Sequence, residues 1–163
     1  MDYAEKYRGI INSLIRKSFP DLKREKIGFI EVPKILPFWS FVQKINGKYY
    51  IIINKSRRKT NISSLKGQLA HELCHIIYVH SKMGGFKDFF YNCIKFLSEL
   101  FNTSFSRKTE EKIDKESIKR GYSRDLISRN QEWESLFSEM IVKNLYKRGY
   151  LRTEQIKKLI KTK

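Results

Sequence analysis

The sequence predicts an α+β domain: a small antiparallel or mixed sheet within about residues 27–54, packed on a mostly helical remainder. Three observations predict it. Apolar residues recur at three- and four-residue steps through most of the chain, the period of a helix with one buried face. Between Ile27 and Asn54 that period gives way to short apolar, β-branched and aromatic runs, with the turn signal Asn46-Gly47 between two of them. A length of 163 residues, with 40% hydrophobic and 13% aromatic content, suits one domain with a sizeable core and is short of two. No internal repeat or low-complexity linker divides the chain, so residues 1–163 are read as a single domain.

Residues 2–18 read as a helix, with Tyr3, Tyr7, Ile10, Ile11, Leu14 and Ile15 on one stripe and Pro20 as its stop. Ile27–Val32 is a short β-like run, followed by Pro33 and Pro37. Phe38–Ile45, the Asn-Gly turn and Tyr49–Asn54 make a hairpin. Tyr49-Tyr50-Ile51-Ile52-Ile53 is too continuously apolar for a strand with one wet face, which predicts cover on both sides. Lys55–Asn61 reads as a basic loop. Ser63 or Ser64 caps a helix that runs to about Val79, with Leu65, Leu69, Leu73, Ile76 and Ile77 buried. Gly84-Gly85 ends that segment. Phe86–Phe101 is helical again, its aromatic stripe core-forming or else a membrane-surface or dimer face. Asn102–Ser106 is a polar break. Lys108–Arg120, Ser123–Lys147 and Thr153–Ile160 then read as three helices separated by Gly121 and Gly149, the last capped by Thr153.

Charge and cysteine content narrow the setting. Thirty-four Lys and Arg against seventeen Asp and Glu give a net charge of +17. That allows nucleic-acid binding but does not favour it, because the basic residues are spread along the chain and only Lys55–Lys59 forms a dense run. The two cysteines, Cys74 and Cys93, make no disulfide framework and suit small buried positions. Nothing in Met1–Phe19 reads as a signal peptide, and no stretch approaches the roughly 18 uncharged apolar residues of a membrane span. A cytoplasmic protein is the expectation.

The chemistry is concentrated in His71-Glu72-Leu73-Cys74-His75. Two histidines four apart fall on one face of a helix, where their imidazoles can converge on one ion, and zinc is the ion that such HExxH segments hold. Glu72 is placed beside the metal rather than on it, as the base for a water held there. The plain alternative is an amphipathic helix with buried, hydrogen-bonded histidines. A catalytic zinc needs a third protein ligand. His80 is ruled out as that ligand by angle, lying about 140° around the helix from His75. On the helix that begins near Lys108, the inward positions are Glu110, Ile113, Asp114, Ser117, Ile118 and Gly121, while Glu111, Lys112, Lys115 and Glu116 face out. A carboxylate opening an inner stripe fits metal ligation by Glu110, and Asp114, one turn on, is placed to accept the free N–H of a ligating histidine. Helix-dipole stabilisation explains Glu110 and Glu111 equally, but not Asp114.

HExxH at 71–75 followed by ExxxD at 110–114 resembles the gluzincin metallopeptidases. With Gly121-Tyr122 and Gly149–Ile156 added, the chain is similar to the archaeal minigluzincins over roughly residues 45–160. The phage-repressor-cleaving, ImmA/IrrE-like metallopeptidases share the same logic and are the close alternative. The departures from the minigluzincins are the longer chain and the aromatic segment between the two motifs. The resemblance implies a zinc peptidase acting on peptide or unfolded protein, with His71, His75 and Glu110 as ligands, Asp114 orienting a histidine and Glu72 as base. It also implies that a C-terminal segment, here 150–163, can fill the cleft and hold the enzyme latent. Packing of that helix on the outside of the domain is the other placement. Tyr122 is the expected donor to the oxyanion, with simple packing as its alternative. An extended peptide is expected to add onto the strand at Tyr49–Asn54, contacting Ile52, Ile53 and Asn54. The rival from another class is a basic nucleic-acid-binding protein with a structural metal.

Overall fold

The computed structural model describes residues 3–33, 40–79 and 104–162, and within them the fold is α+β. Helix α1 (Tyr3–Ser18) buries Tyr7, Ile11 and Leu14 from its apolar stripe and ends before Pro20. Strands β1 (Ile27–Val32), β2 (Ser40–Ile45) and β3 (Lys48–Asn54) form one mixed sheet in the order β1-β3-β2. The β2–β3 hairpin turns at Asn46 and Gly47, both with positive φ (50° and 73°), and Ile45 pairs with Lys48 across the turn. β1 lies parallel to β3, Ile27 opposite Tyr49 and Val32 opposite Asn54. Tyr49, Ile51 and Ile53 are buried, whereas Tyr50 and Ile52 on the other face are only half-buried. Among the described residues, then, the full cover expected on both sides of β3 exists on one side.

The basic run after β3 is not a solvated loop. Lys55–Lys59 forms a 3₁₀ turn that sends Arg57 inward, where it donates to Glu132 Oε2 and Ser64 Oγ, each at 3.1 Å. Helix α2 (Ile62–Tyr78) starts slightly earlier than its serines suggest, because Asn61 is the cap: its Oδ1 accepts the Ser64 N–H at 2.7 Å. Every residue of α2 from Gly67 to Ile76 is buried. The helix is therefore wrapped all round, with α1, β2 and the two following helices against it. Burial of Leu65, Leu69, Leu73 and Ile76 stabilises it by about 1.5–3 kcal/mol per side chain.

Helix α3 (Ser104–Lys119) begins inside the stretch read as a polar break. The long helix expected over 123–147 is two: α4 (Ser123–Leu136) and α5 (Glu139–Lys147), parted by Phe137 and Ser138 in extended conformation. Gly67 lets α2 and α4 touch backbone to backbone, since a Cβ there would fall 2.4 Å from the Asp125 carbonyl oxygen. Helix α6 (Thr153–Lys161) follows Gly149, whose φ of 107° and approach to the Arg107 carbonyl leave no room for a side chain. Arg152 rather than Thr153 is the cap, its N–H donating to Gln155 Oε1 at 2.9 Å. A main core joins α1, the sheet, α2 and Ile113, and a second, smaller one joins Ile118, Leu126, Leu151 and Ile156. The segment Phe86–Phe101, the residue His80, the cysteine Cys93 and the first residues of the Phe38–Ile45 run lie outside the described residues. Among the described residues, no helix is long and apolar enough to cross a membrane.

Candidate metal centre

Two helices bring the three expected ligands together. His71 and His75, one turn apart on α2, approach with their Nε2 atoms 3.1 Å apart. From the first turns of α3, Glu110 places Oε2 3.0 Å from His71 Nε2 and 3.3 Å from His75 Nε2. All three side chains are buried, and they form a group that could hold a metal ion. The register of α3 is the one its pattern predicts. Glu110, Ile113, Asp114, Ser117 and Ile118 face in, and Glu111 faces out to pair with Lys115 at 2.6 Å.

The donor set fits a small divalent cation on two counts. A tetrahedral ion with bonds of about 2.0–2.1 Å separates its ligand atoms by about 3.3–3.4 Å. The three observed separations are within a few tenths of an ångström of that. Charge is the second count. Glu72, Glu110, Asp114 and Arg129 are all buried, so three carboxylates and one guanidinium leave two net negative charges when the imidazoles are neutral. Without a cation the cluster draws in protons instead. Burial opposes a charge on His71, but hydrogen bonds and charges from Asp114 and Glu110 outweigh it and raise its pKa to about 9.

The orientation of His71 is fixed from behind. Its Nδ1–H donates to Asp114 Oδ1 at 2.8 Å, which leaves the Nε2 lone pair for the metal position. Asp114 is itself buried, yet Arg129 and His71 overcome the cost of burial and hold its carboxyl down at about 2. Arg129 of α4 forks onto it with two bonds of 3.0 Å, and the Leu151 N–H adds a fourth donor at 2.9 Å. The Tyr150 ring stacks on His71 with centroids 5.3 Å apart.

Glu72 is buried beside the ligands and is held by its Oε1. Ser40 Oγ donates to that atom at 2.7 Å and Gln68 Nε2 at 3.0 Å, while Gln68 Nε2 also reaches Ser40 Oγ at 2.8 Å. Ser40 is the first residue of β2, so the edge strand of the sheet is tied directly to the motif glutamate.

Two assignments are corrected. Tyr122 stands in the main core, its ring stacked on Phe19 at 5.8 Å and its hydroxyl hydrogen-bonded to Ser18, so it supplies no oxyanion donor. Ile52, Ile53 and Asn54 cannot accept an added strand, because β3 is the middle strand and is paired on both edges. The C-terminal helix packs on α4, with Ile156 sealed against Leu126, and its segment meets the cluster through Tyr150 and Leu151. Arg129, Asn130, Ser40 and Gln68 escaped the sequence reading. The first two had a signal of the kind that exposed Glu110: Leu126, Arg129, Asn130 and Trp133 make one inner stripe with a cation in it. Ser40 and Gln68 had none, since their meeting depends on where the sheet docks.

No family model, curated protein or solved structure matches the chain.

Proposed function

We propose that the chain is a zinc-dependent metallopeptidase of gluzincin type, hydrolysing bonds in peptides or unfolded proteins in the cytoplasm. One observation carries the reading: two imidazole Nε2 atoms and a carboxylate oxygen converge at ligand spacing with Glu72 beside them. His71, His75 and Glu110 would hold the ion, and Asp114 keeps His71 in the ligating tautomer. Bound there, zinc supplies Lewis-acid polarisation of the scissile carbonyl and acidifies water.

The rest belongs to the chain's own residues. Glu72 accepts a proton from the attacking water as the water oxygen bonds to the carbonyl carbon. It returns that proton to the amide nitrogen as the C–N bond breaks, so acid and amine leave with atoms balanced. Ser40 and Gln68 hold the carboxylate at Oε1 throughout, restricting it to the orientation the transfer needs. With β3 enclosed, β2 is, among the described residues, the edge strand tied to Glu72, and an extended substrate pairing along its outer edge would lie beside the base.

The test is Glu72→Gln. One zinc per chain should remain, while hydrolysis of casein should fall by about 10²–10⁴-fold. Undiminished cleavage by this variant, or a wild-type chain that takes up no zinc, would defeat the proposal.

A further inference from the structure

We propose that Arg129 is a positioning residue of the metal site, acting through Asp114 to set the ring of His71. This rests on the reading of His71, His75 and Glu110 as metal ligands.

Arg129 and Asp114 are both fully buried, and a buried ion pair commonly stabilises a fold no better than apolar residues of the same volume. Packing alone does not account for it, since a Met or Leu on α4 would fill the same space. The hydrogen-bond geometry supplies another reason. A carboxylate has about four lone-pair sites. All four are taken at Asp114: His71 Nδ1 and Arg129 Nη1 on Oδ1, and Arg129 Nη2 and the Leu151 N–H on Oδ2. Rotating the carboxylate breaks several of these bonds at once. The fork of Arg129 makes two of them, so it decides the plane in which Oδ1 meets His71.

Arg129 is in turn held rigidly. Its guanidinium lies 4.4 Å from the Trp133 ring centroid and 5.3 Å from that of Tyr150, and Nε and Nη2 both donate to Asn130 Oδ1. Tyr150 also stacks on His71, so one ring packs against both the cation and the imidazole.

The decisive variant is Arg129→Lys, which keeps the buried charge but cannot fork both oxygens. Zinc affinity is read by competition with a chromophoric chelator. The orientation of His71 is read by NMR, from the protection of its Nδ1 proton against exchange, in both metal-free and zinc-loaded protein. We expect affinity to fall about 10–100-fold and the Nδ1 proton to exchange at least about tenfold faster, with circular dichroism unchanged. A folded Arg129→Lys protein with wild-type affinity and a protected Nδ1 proton would overturn the proposal. As a second arm, Asp114→Asn is compared with Asp114→Asn/Arg129→Met. If Arg129 acts through Asp114, the two should bind zinc equally within about twofold. A further tenfold loss in the double variant would overturn the mechanism even if Arg129→Lys does not fold. Should the wild type take up no zinc, the proposed function fails, and exchange of the His71 proton in the metal-free protein still decides the role of Arg129.

Discussion

Loosening the C-terminal segment should weaken the metal site rather than uncover it. Ile156 is the fully buried side chain of α6, set among Ile118, Leu126 and Leu151. Ile156→Ala removes three carbons from that small core, at a cost of about 2–5 kcal/mol. For a chain of this length that lowers the melting temperature by roughly 4–20 °C. A nine-residue helix is not stable by itself in water, so the loss falls first on docking of α6, which can open locally before the rest unfolds. What opens with it matters for the site. Leu151 donates its N–H to Asp114, its carbonyl accepts from Asn130 Nδ2 at 2.7 Å, and Tyr150 covers His71. Ile156→Ala should therefore bind zinc more weakly and cleave casein more slowly, and a chain stopped at Gly149 should do both more severely. Calorimetry, chelator competition and a cleavage assay on the same preparations check this. A truncated protein that melts like the full chain, keeps its zinc and cleaves faster would refute the reasoning and restore an inhibitory tail.

Three further outcomes follow from the geometry. Glu110→Ala should lose zinc, whereas Glu111→Ala should keep it, because Glu111 points outward to Lys115; metal analysis of the two purified variants reads the difference. Zinc affinity should fall about tenfold per pH unit below about 9, since the ion must displace the proton that metal-free His71 then holds. The same raised value gives the metal-free fold a stabilisation that is complete below pH 6.5 and lost as pH rises through about 9; an affinity that stays flat from pH 8 to 6 would contradict both statements. Gly67→Ala gains about 1 kcal/mol of helix propensity. It should nevertheless destabilise by up to about 2 kcal/mol net, because the new Cβ meets the Asp125 backbone at 2.4 Å; denaturant melts measure it.

What could be read in the sequence depended on whether a signal was local. Asn46-Gly47 demands two positive-φ residues in a row, so the hairpin followed from the dipeptide alone. The placement of Glu110 and Asp114 followed from helical period, which fixes a face without knowledge of the partner. The order of the sheet did not follow. Nothing in Ile27–Val32 says that it will lie parallel to Tyr49–Asn54, and only that pairing turns β3 into a middle strand. The break at Phe137-Ser138 was equally hidden, for the apolar period runs across it and no Gly or Pro marks it. Tyr122 shows the reverse error, a residue drawn toward the chemistry by its neighbourhood in the chain when its ring had a place on Phe19.

Four of the donors that sequence reasoning passed over share a physical character, and it says something about how the site is built. Ser40 comes from the sheet, Gln68 from α2, Arg129 from α4 and the Leu151 N–H from the segment before α6. Each touches a carboxylate, Glu72 or Asp114, and none belongs to the three-residue ligand group. Burying a carboxylate costs several kcal/mol unless donors surround it. The donors for these two come from four elements far apart in sequence, so the carboxylates are fully compensated only when the sheet, α2, α4 and the C-terminal segment have all docked. The ligands can be recognised from two helices. The surroundings that keep them aligned require the whole fold, so substitutions well away from the HExxH segment should alter zinc affinity as strongly as changes next to it.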